Sequence, residues 1–404
     1  MRLLLLSLLA SLFLCFENSS ASTQEYRLND MRVIVCDDFF LPIAKVGVFY
    51  PVGLNQLKNI CEAEIIEETF LSEATKRSAK KLGTNIDFSI HDNFSEVSAI
   101  IPNKQIPEII KIILDNKIDL TDFLLVKKQI RTRHKLSDYF EADLVDNEVY
   151  AKIDSKYIFN ESTLNNITEN DLKNSLNKYG KTHIDIIICG NFDLKQLVEK
   201  LCLKPAPPGE TSEINTQLNT VASRDFREHV IETRSKFFGR SLYYIYRINS
   251  SELRKKLNAI SAVLNNEIFN YFKKYSQIID NFFITNLMKP DFVLICFTPK
   301  RDISKKSFET NLKSFFSYLK KTNLSPEKLE SISKLEKFSE IDADENLSAK
   351  YQIIKNRYIL QLQSKNDISK EILNVSQDDI RNFIEQVIEN NLVAKISTQY
   401  KAEN

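Results

Sequence analysis

Cys61-Glu62-Ala63-Glu64-Ile65-Ile66-Glu67-Glu68-Thr69-Phe70 is the stretch on which the reading of this 404-residue chain turns. Glu64, Glu67 and Glu68 fall at i, i+3 and i+4, so in a helix they share one face. Three carboxylates on one helical face have two readings. One is a solvated acidic face; the other is the altered remnant of a site that once held a metal.

The spacing is that of an H-x-x-E-H zinc motif, in which two histidines one turn apart hold the metal and the intervening glutamate activates water. Here both histidine positions carry glutamate, Glu64 and Glu68, and the general-base position alone keeps its residue, Glu67. Upstream lie Leu28-Asn29-Asp30-Met31-Arg32-Val33-Ile34-Val35 and Pro42-Ile43-Ala44-Lys45-Val46-Gly47-Val48-Phe49-Tyr50-Pro51-Val52-Gly53. Downstream come Leu82-Gly83 and a segment from Asp87 to Ile101. In the order of these pieces the chain resembles the pitrilysin/insulinase family, the inverted zinc metallopeptidases that include mitochondrial processing peptidase. There a short strand leads to a second strand ending in V-G, and then to the helix with the zinc motif.

The organisation is repeated. A helix ending near Gly83, strand-like runs Ile86 to Ile90 and Ser95 to Ile101, Pro102, and a helix from Ile106 to Leu114 have a second copy. That copy is a helix from Glu252 to Phe272, runs Phe282 to Asn286 and Phe292 to Thr298, Pro299, and a helix from Ser304 to Leu319. Each copy closes on a capping box, Thr168-Glu169-Asn170-Asp171 or Ser376-Gln377-Asp378-Asp379, opening a helix that leads to a last strand. Those strands are Ile184 to Cys189 and Leu392 to Ser397. Between the copies, Lys204-Pro205-Ala206-Pro207-Pro208-Gly209-Glu210 reads as a linker, because proline lacks the donor that a helix or ladder needs.

The expected fold is α+β: two similar α/β sandwich halves of the mitochondrial processing peptidase type, each a sheet with helices on one side. The expected divisions are a signal peptide at 1–21, halves at 22–203 and 212–404, and the linker at 204–211. The family's first half ends with an "I-T-x-x-D-L" helix start and a strand finishing G-N-F-D. Ile167-Thr168-Glu169-Asn170-Asp171-Leu172 and Gly190-Asn191-Phe192-Asp193 match both, so the resemblance spans nearly the whole chain after residue 21.

The resemblance implies a site whose parts are altered here. Tetrahedral zinc takes imidazole or thiolate with a carboxylate or two, whereas glutamates at 64, 67 and 68 form a hard, anionic, self-repelling set. The family's third ligand is a glutamate on a later helix, and His134 lies near its place, between Arg133 and Lys135, where a surface position is expected. An arginine and a tyrosine seven residues apart hold substrate backbone in the family's second half. The matching stretch, Ile268 to Asp280, has Lys273 and Asp280 instead. Lysine keeps a cation without the bidentate fork, and aspartate cannot donate as a tyrosine hydroxyl does. No zinc is expected, and Glu64 and Glu68 are expected on a solvated face.

Other chemistry is excluded or unsupported. The net charge of +1 and the lack of a basic face with interleaved aromatics argue against nucleic acid; Lys127, Lys128, Arg131 and Arg133 read as a solvated helix face. With 7 glycines there is little room for phosphate-cradling loops, and no G-x-S-x-G elbow, P-loop or dinucleotide fingerprint occurs. Cys36, Cys189 and Cys296 sit in apolar strand-like runs, where a buried thiol behaves as a small hydrophobe. Arg2, the apolar run Leu3 to Phe16 and Ser19-Ser20-Ala21 read as a secretory signal. A periplasmic or extracellular protein with no stable membrane span after cleavage is the expectation.

Three functional readings follow. The first is a non-catalytic homologue, a pseudoenzyme that pairs as a heterodimer with an active zinc peptidase of the same family. The second is a metallopeptidase with an atypical metal site built from Glu64, Glu67, Glu68 and His134. The third is a free-standing peptide-binding or scaffold protein.

Overall fold

The computed structural model describes residues 23–37, 41–137, 156, 159–180, 183–207, 227–233, 241–275, 278–286, 292–300, 303–359 and 368–400. The expected signal peptide and residues 208–211 of the expected linker lie outside the described residues. In chain order the first half runs β1 (Thr23–Leu28), β2 (Met31–Asp37), β3 (Ile43–Tyr50), α1 (Ile60–Thr69), α2 (Glu73–Lys81), β4 (Asp87–Ile90) and β5 (Ser95–Pro102). It continues with α3 (Ile106–Leu114), α4 (Phe123–Ser137), α5 (Glu161–Asn166), α6 (Glu169–Tyr179), β6 (Asp185–Gly190), α7 (Leu194–Leu201) and β7 (Lys204–Pro205). The second half runs β8 (Arg227–Thr233), β9 (Leu242–Arg247), α8 (Ser251–Lys255), α9 (Leu257–Tyr275), β10 (Ile279–Asn286) and β11 (Phe292–Pro299). After these come α10 (Lys305–Lys321), α11 (Pro326–Glu345), α12 (Leu347–Tyr358), α13 (Ile368–Leu373), α14 (Gln377–Phe383) and β12 (Leu392–Tyr400).

The repeat seen in the sequence is a repeat of sheet topology. The first sheet has the order β4-β5-β3-β6-β2-β1-β7 and the second β10-β11-β9-β12-β8. Strand for strand, the five positions from β4 to β2 correspond to those from β10 to β8. The senses agree too: β2 runs parallel to β6 and β8 parallel to β12, while every other pairing is antiparallel. The strand β6, Asp-Ile-Ile-Ile-Cys-Gly, is buried at every residue, as suits a central strand covered on both faces. Both capping boxes form, Thr168 with Asp171 and Ser376 with Asp379, so α6 and α14 start where the sequence placed them.

Two expectations need correction. Lys204 and Pro205 are not free linker: they pair with Arg27 and Tyr26 of β1, and the Ala206 N–H donates to the Glu25 carbonyl at 3.1 Å. Proline is tolerated there because β7 is an edge strand, where no further ladder partner needs its missing N–H. Nor do helices cover the first sheet on one side only. Val33, Val35, Ile186 and Ile188 face the first half's own helices, whereas Ile34, Cys36, Phe49, Ile187 and Cys189 face Tyr351, Ile354 and Ile359. The second half thus sends α12 across to seal the far face of the first half's sheet.

That crossing is held by a buried polar knot. Tyr351, 1% exposed, donates from its hydroxyl to Glu96 Oε1 at 2.7 Å, and Lys355 Nζ donates to Glu96 Oε2 at 2.9 Å. His91 Nε2 stands 3.8 Å from the same carboxylate. Burial alone would raise the Glu96 carboxyl, but His91, Lys355 and Tyr351 together bring it down to about 2. Gly47 makes room for the tyrosine, since a Cβ there would lie 1.6 Å from the Tyr351 hydroxyl oxygen. Among the described residues no helix is long and apolar enough to cross a membrane.

Candidate functional site

Helix α1 is set by its N-terminus. Asn59 accepts from the Glu62 N–H at 3.0 Å, and the Glu62 carboxylate accepts from Lys58 N at 2.7 Å and from the Ser175 hydroxyl of α6 at 2.7 Å. An acid in the first turn also suits the helix dipole. With Cys61, Ala63, Ile65 and Ile66 turned into the core, the face with Glu64, Glu67 and Glu68 meets α4 and the end of β4. The rotation of α4 is fixed by its cations. Lys127 Nζ donates to the carbonyls of Asn165 at 2.9 Å and Ile167 at 3.0 Å, and Arg131 pairs with Glu161 at 2.7 Å. Lys127 is buried, which corrects the solvated-face reading at that position, while Lys128 and Arg133 are exposed as expected.

This places Arg133 and His134 over the glutamates. Arg133 spans two of them, Nη2 to Glu64 Oε2 at 3.0 Å and Nη1 to Glu68 Oε1 at 2.7 Å. His134 Nε2 lies 2.7 and 2.9 Å from the two oxygens of Glu64, with its ring stacked on Phe159 at a centroid distance of 3.6 Å. The solvated-face expectation is therefore corrected for Glu64, whose side chain is 11% exposed, and the surface expectation for His134, whose side chain is 16% exposed. Glu68, at 41% exposed, remains at the rim. Arg133 is the residue that sequence reasoning undervalued. Its signal was its adjacency to His134 at the third-ligand place, and only packing of α4 on α1 shows that both side chains face the acids.

Glu67, at the general-base position, is turned to the sheet edge: its Oε1 accepts from the Ile90 N–H of β4 at 2.7 Å. Burial pushes its carboxyl above the ordinary range against the pull of that N–H, with the Glu64 charge adding to the rise. The Arg133 guanidinium is held charged by Glu64 and Glu68 although burial works the other way.

Zinc does not fit these donors. Both oxygens of Glu64 are engaged, Oε2 by the Arg133 guanidinium and Oε1 by the His134 ring, Glu68 shares the same guanidinium, and Glu67 is engaged with backbone. A guanidinium is always charged, and it stands among the carboxylates that a dication would need. Among the described residues no group of three or more His, Cys, Asp or Glu is arranged to hold a metal ion. Lys273 lies in α9 and Asp280 in β10; their side chains are outside what the structure describes.

No family sequence model matches the chain, and no curated protein matches it by sequence. A protease from Helicobacter pylori superposes with a TM-score of 0.73 at 15% identity, covering 95% of this chain and 100% of the other. A peptidase M16 inactive domain from Pseudomonas fluorescens gives 0.69 at 9% identity, covering 95% and 99%. Pitrilysin gives 0.67 at 11% identity, covering 96% of this chain but 46% of its own. Two sheets of one topology, α1 with its glutamates beside β4, and these superpositions lead to one conclusion: over nearly its whole length the protein has the fold of the M16-like peptidases, the group that includes pitrilysin.

Proposed function

We propose that the protein is an exported, non-catalytic homologue of the M16-like peptidases, and that it serves as the partner subunit of an active zinc peptidase of the same fold. The observation that carries this reading is Arg133 bridging Glu64 and Glu68. A permanent cation stands where the motif's geometry would centre a metal, and the general-base glutamate is committed to the Ile90 amide. The absence of zinc is part of the proposal.

The superposition on about half of the pitrilysin chain supports pairing with a second unit of the same size. The welded halves point the same way. With α12 sealed onto the first sheet by Tyr351, Lys355 and Glu96, opening to admit a peptide is better assigned between two chains than within this one.

The test is twofold. The purified protein should hold no stoichiometric zinc after dialysis and should cleave no unstructured peptide alone. A tagged copy in its native cell should co-purify with an H-x-x-E-H peptidase whose rate on peptides changes when the protein is added back. Stoichiometric zinc with chelator-sensitive cleavage abolished by Glu67→Gln would instead establish the metallopeptidase reading. No associated peptidase and no effect on any candidate's rate would leave the peptide-binding or scaffold role.

A further inference from the structure

The far face of the first sheet carries a pair of side chains whose chemistry does not depend on the proposed partner. Strands β2 and β6 run parallel, and their register sets Cys36 directly beside Cys189. Both side chains point to the same face, within the cluster that Tyr351 and Ile354 cover. Neighbouring strands lie about 4.8 Å apart, inside the range of about 4.4 to 6.8 Å between Cα atoms that a disulfide spans. The two strands come from distant parts of the sequence, so sequence spacing gives no hint of the pair. Read singly, each thiol is a small buried hydrophobe; together they are a vicinal dithiol.

We propose that Cys36 and Cys189 form a redox-modifiable pair, joined as a cross-strand disulfide by a small-molecule or protein disulfide oxidant before α12 closes over them. The chemistry is ordinary exchange. One thiol loses its proton, and its thiolate attacks a sulfur of the oxidant's disulfide, expelling one oxidant thiolate and leaving a mixed disulfide. The second cysteine's thiolate then attacks the protein sulfur of that mixed disulfide and expels the other oxidant thiolate. Two cysteine thiols are oxidised, one oxidant disulfide is reduced to two thiols, and the two protons released by the cysteines end on them.

Order of assembly matters because Cys36 is 1% and Cys189 0% exposed in the folded chain. The folded protein hides both from an oxidant. The opportunity falls while β2 and β6 have paired and the second half has not yet docked. Cys61 is buried in the helix layer, and Cys202 is exposed at the end of α7. Neither shares the face of the pair.

The full chain, reduced and unfolded, would be refolded in glutathione disulfide and in reduced glutathione, then alkylated in denaturant and mapped by mass spectrometry. The expected result is the loss of two thiols in the oxidised arm only, with one linked peptide pair joining Cys36 to Cys189. Cys36→Ala and Cys189→Ala should each abolish that linked pair, and the wild-type map carries the test whether or not either variant folds. Retention of both thiols would overturn the proposal. So would glutathione adducts without a linked pair, or linkage of either cysteine to Cys61, Cys202 or Cys296.

Discussion

Glu96 and Lys355 give the sharpest quantitative test, because they join the two halves through a pair that is almost dry. Their side chains are 7% and 9% exposed. The Glu96 carboxyl falls from 4.5 to about 2 on folding, a change that corresponds to about 3 kcal/mol at ~1.4 kcal/mol per pH unit. Its folded pKa is depressed, so this contribution is complete above about pH 4.5 and is lost as the pH falls toward 2. Glu96→Gln keeps the shape of the side chain and leaves the Lys355 ammonium buried opposite a neutral amide. Breaking a buried pair from one side in this way costs about 3 to 5 kcal/mol. In Glu96→Gln/Lys355→Met no buried charge is left uncompensated, so the double variant should be the more stable of the two by at least ~1 kcal/mol. Urea unfolding of wild type, both single variants and the double at pH 7 and at pH 3 measures the cycle. The wild-type advantage over Glu96→Gln should shrink at the lower pH. Additive single losses at pH 7, or an advantage independent of pH, would refute the reasoning that this carboxylate clamps α12 to the first sheet.

Gly47→Val should expel the Tyr351 ring and cost at least about 1 to 3 kcal/mol, as overpacking does; faster proteolysis within α12 is the measurement, and Tyr351→Ala in the same chain should recover part of the loss. Arg133→Ala should remove the bridge between Glu64 and Glu68 while Glu64 keeps its His134 contact, and, the guanidinium being half exposed, should lower stability by about 0.5 to 1 kcal/mol, read from the denaturation midpoint. Glu67→Ala should speed hydrogen exchange at the Ile90 amide, whereas Glu67→Gln, which retains an acceptor oxygen, should protect it nearly as well as wild type. Thr168→Ala should cost about 1 kcal/mol through loss of one capping box, again read from the midpoint.

Much of this protein is written locally. The apolar strand-like runs, the capping boxes at Thr168 and Ser376 and the doubled order of elements depend on neighbours a few residues away, so the two-half architecture and the three-glutamate face of α1 could be read from sequence alone. The loss of the histidines at positions 64 and 68 is likewise a plain fact of composition. What the sequence could not decide is who meets whom over long separations. Arg133 and His134 look like residues without partners until α4, held by Lys127 and Arg131, sets them against Glu64 on α1. Lys204 and Pro205 look like linker until an open edge of β1 receives them. Tyr351 and Lys355 look like ordinary residues of a second-half helix until Glu96 and Gly47 accept them on the far sheet. Periodicity assigns a side chain to a face of its own element, but the partner of that face is chosen by burial across the whole chain. That is why the sequence by itself determined the fold and the missing zinc ligands, and only the tertiary structure decided which side chains meet Glu64 and Glu68 and which helix closes the first sheet.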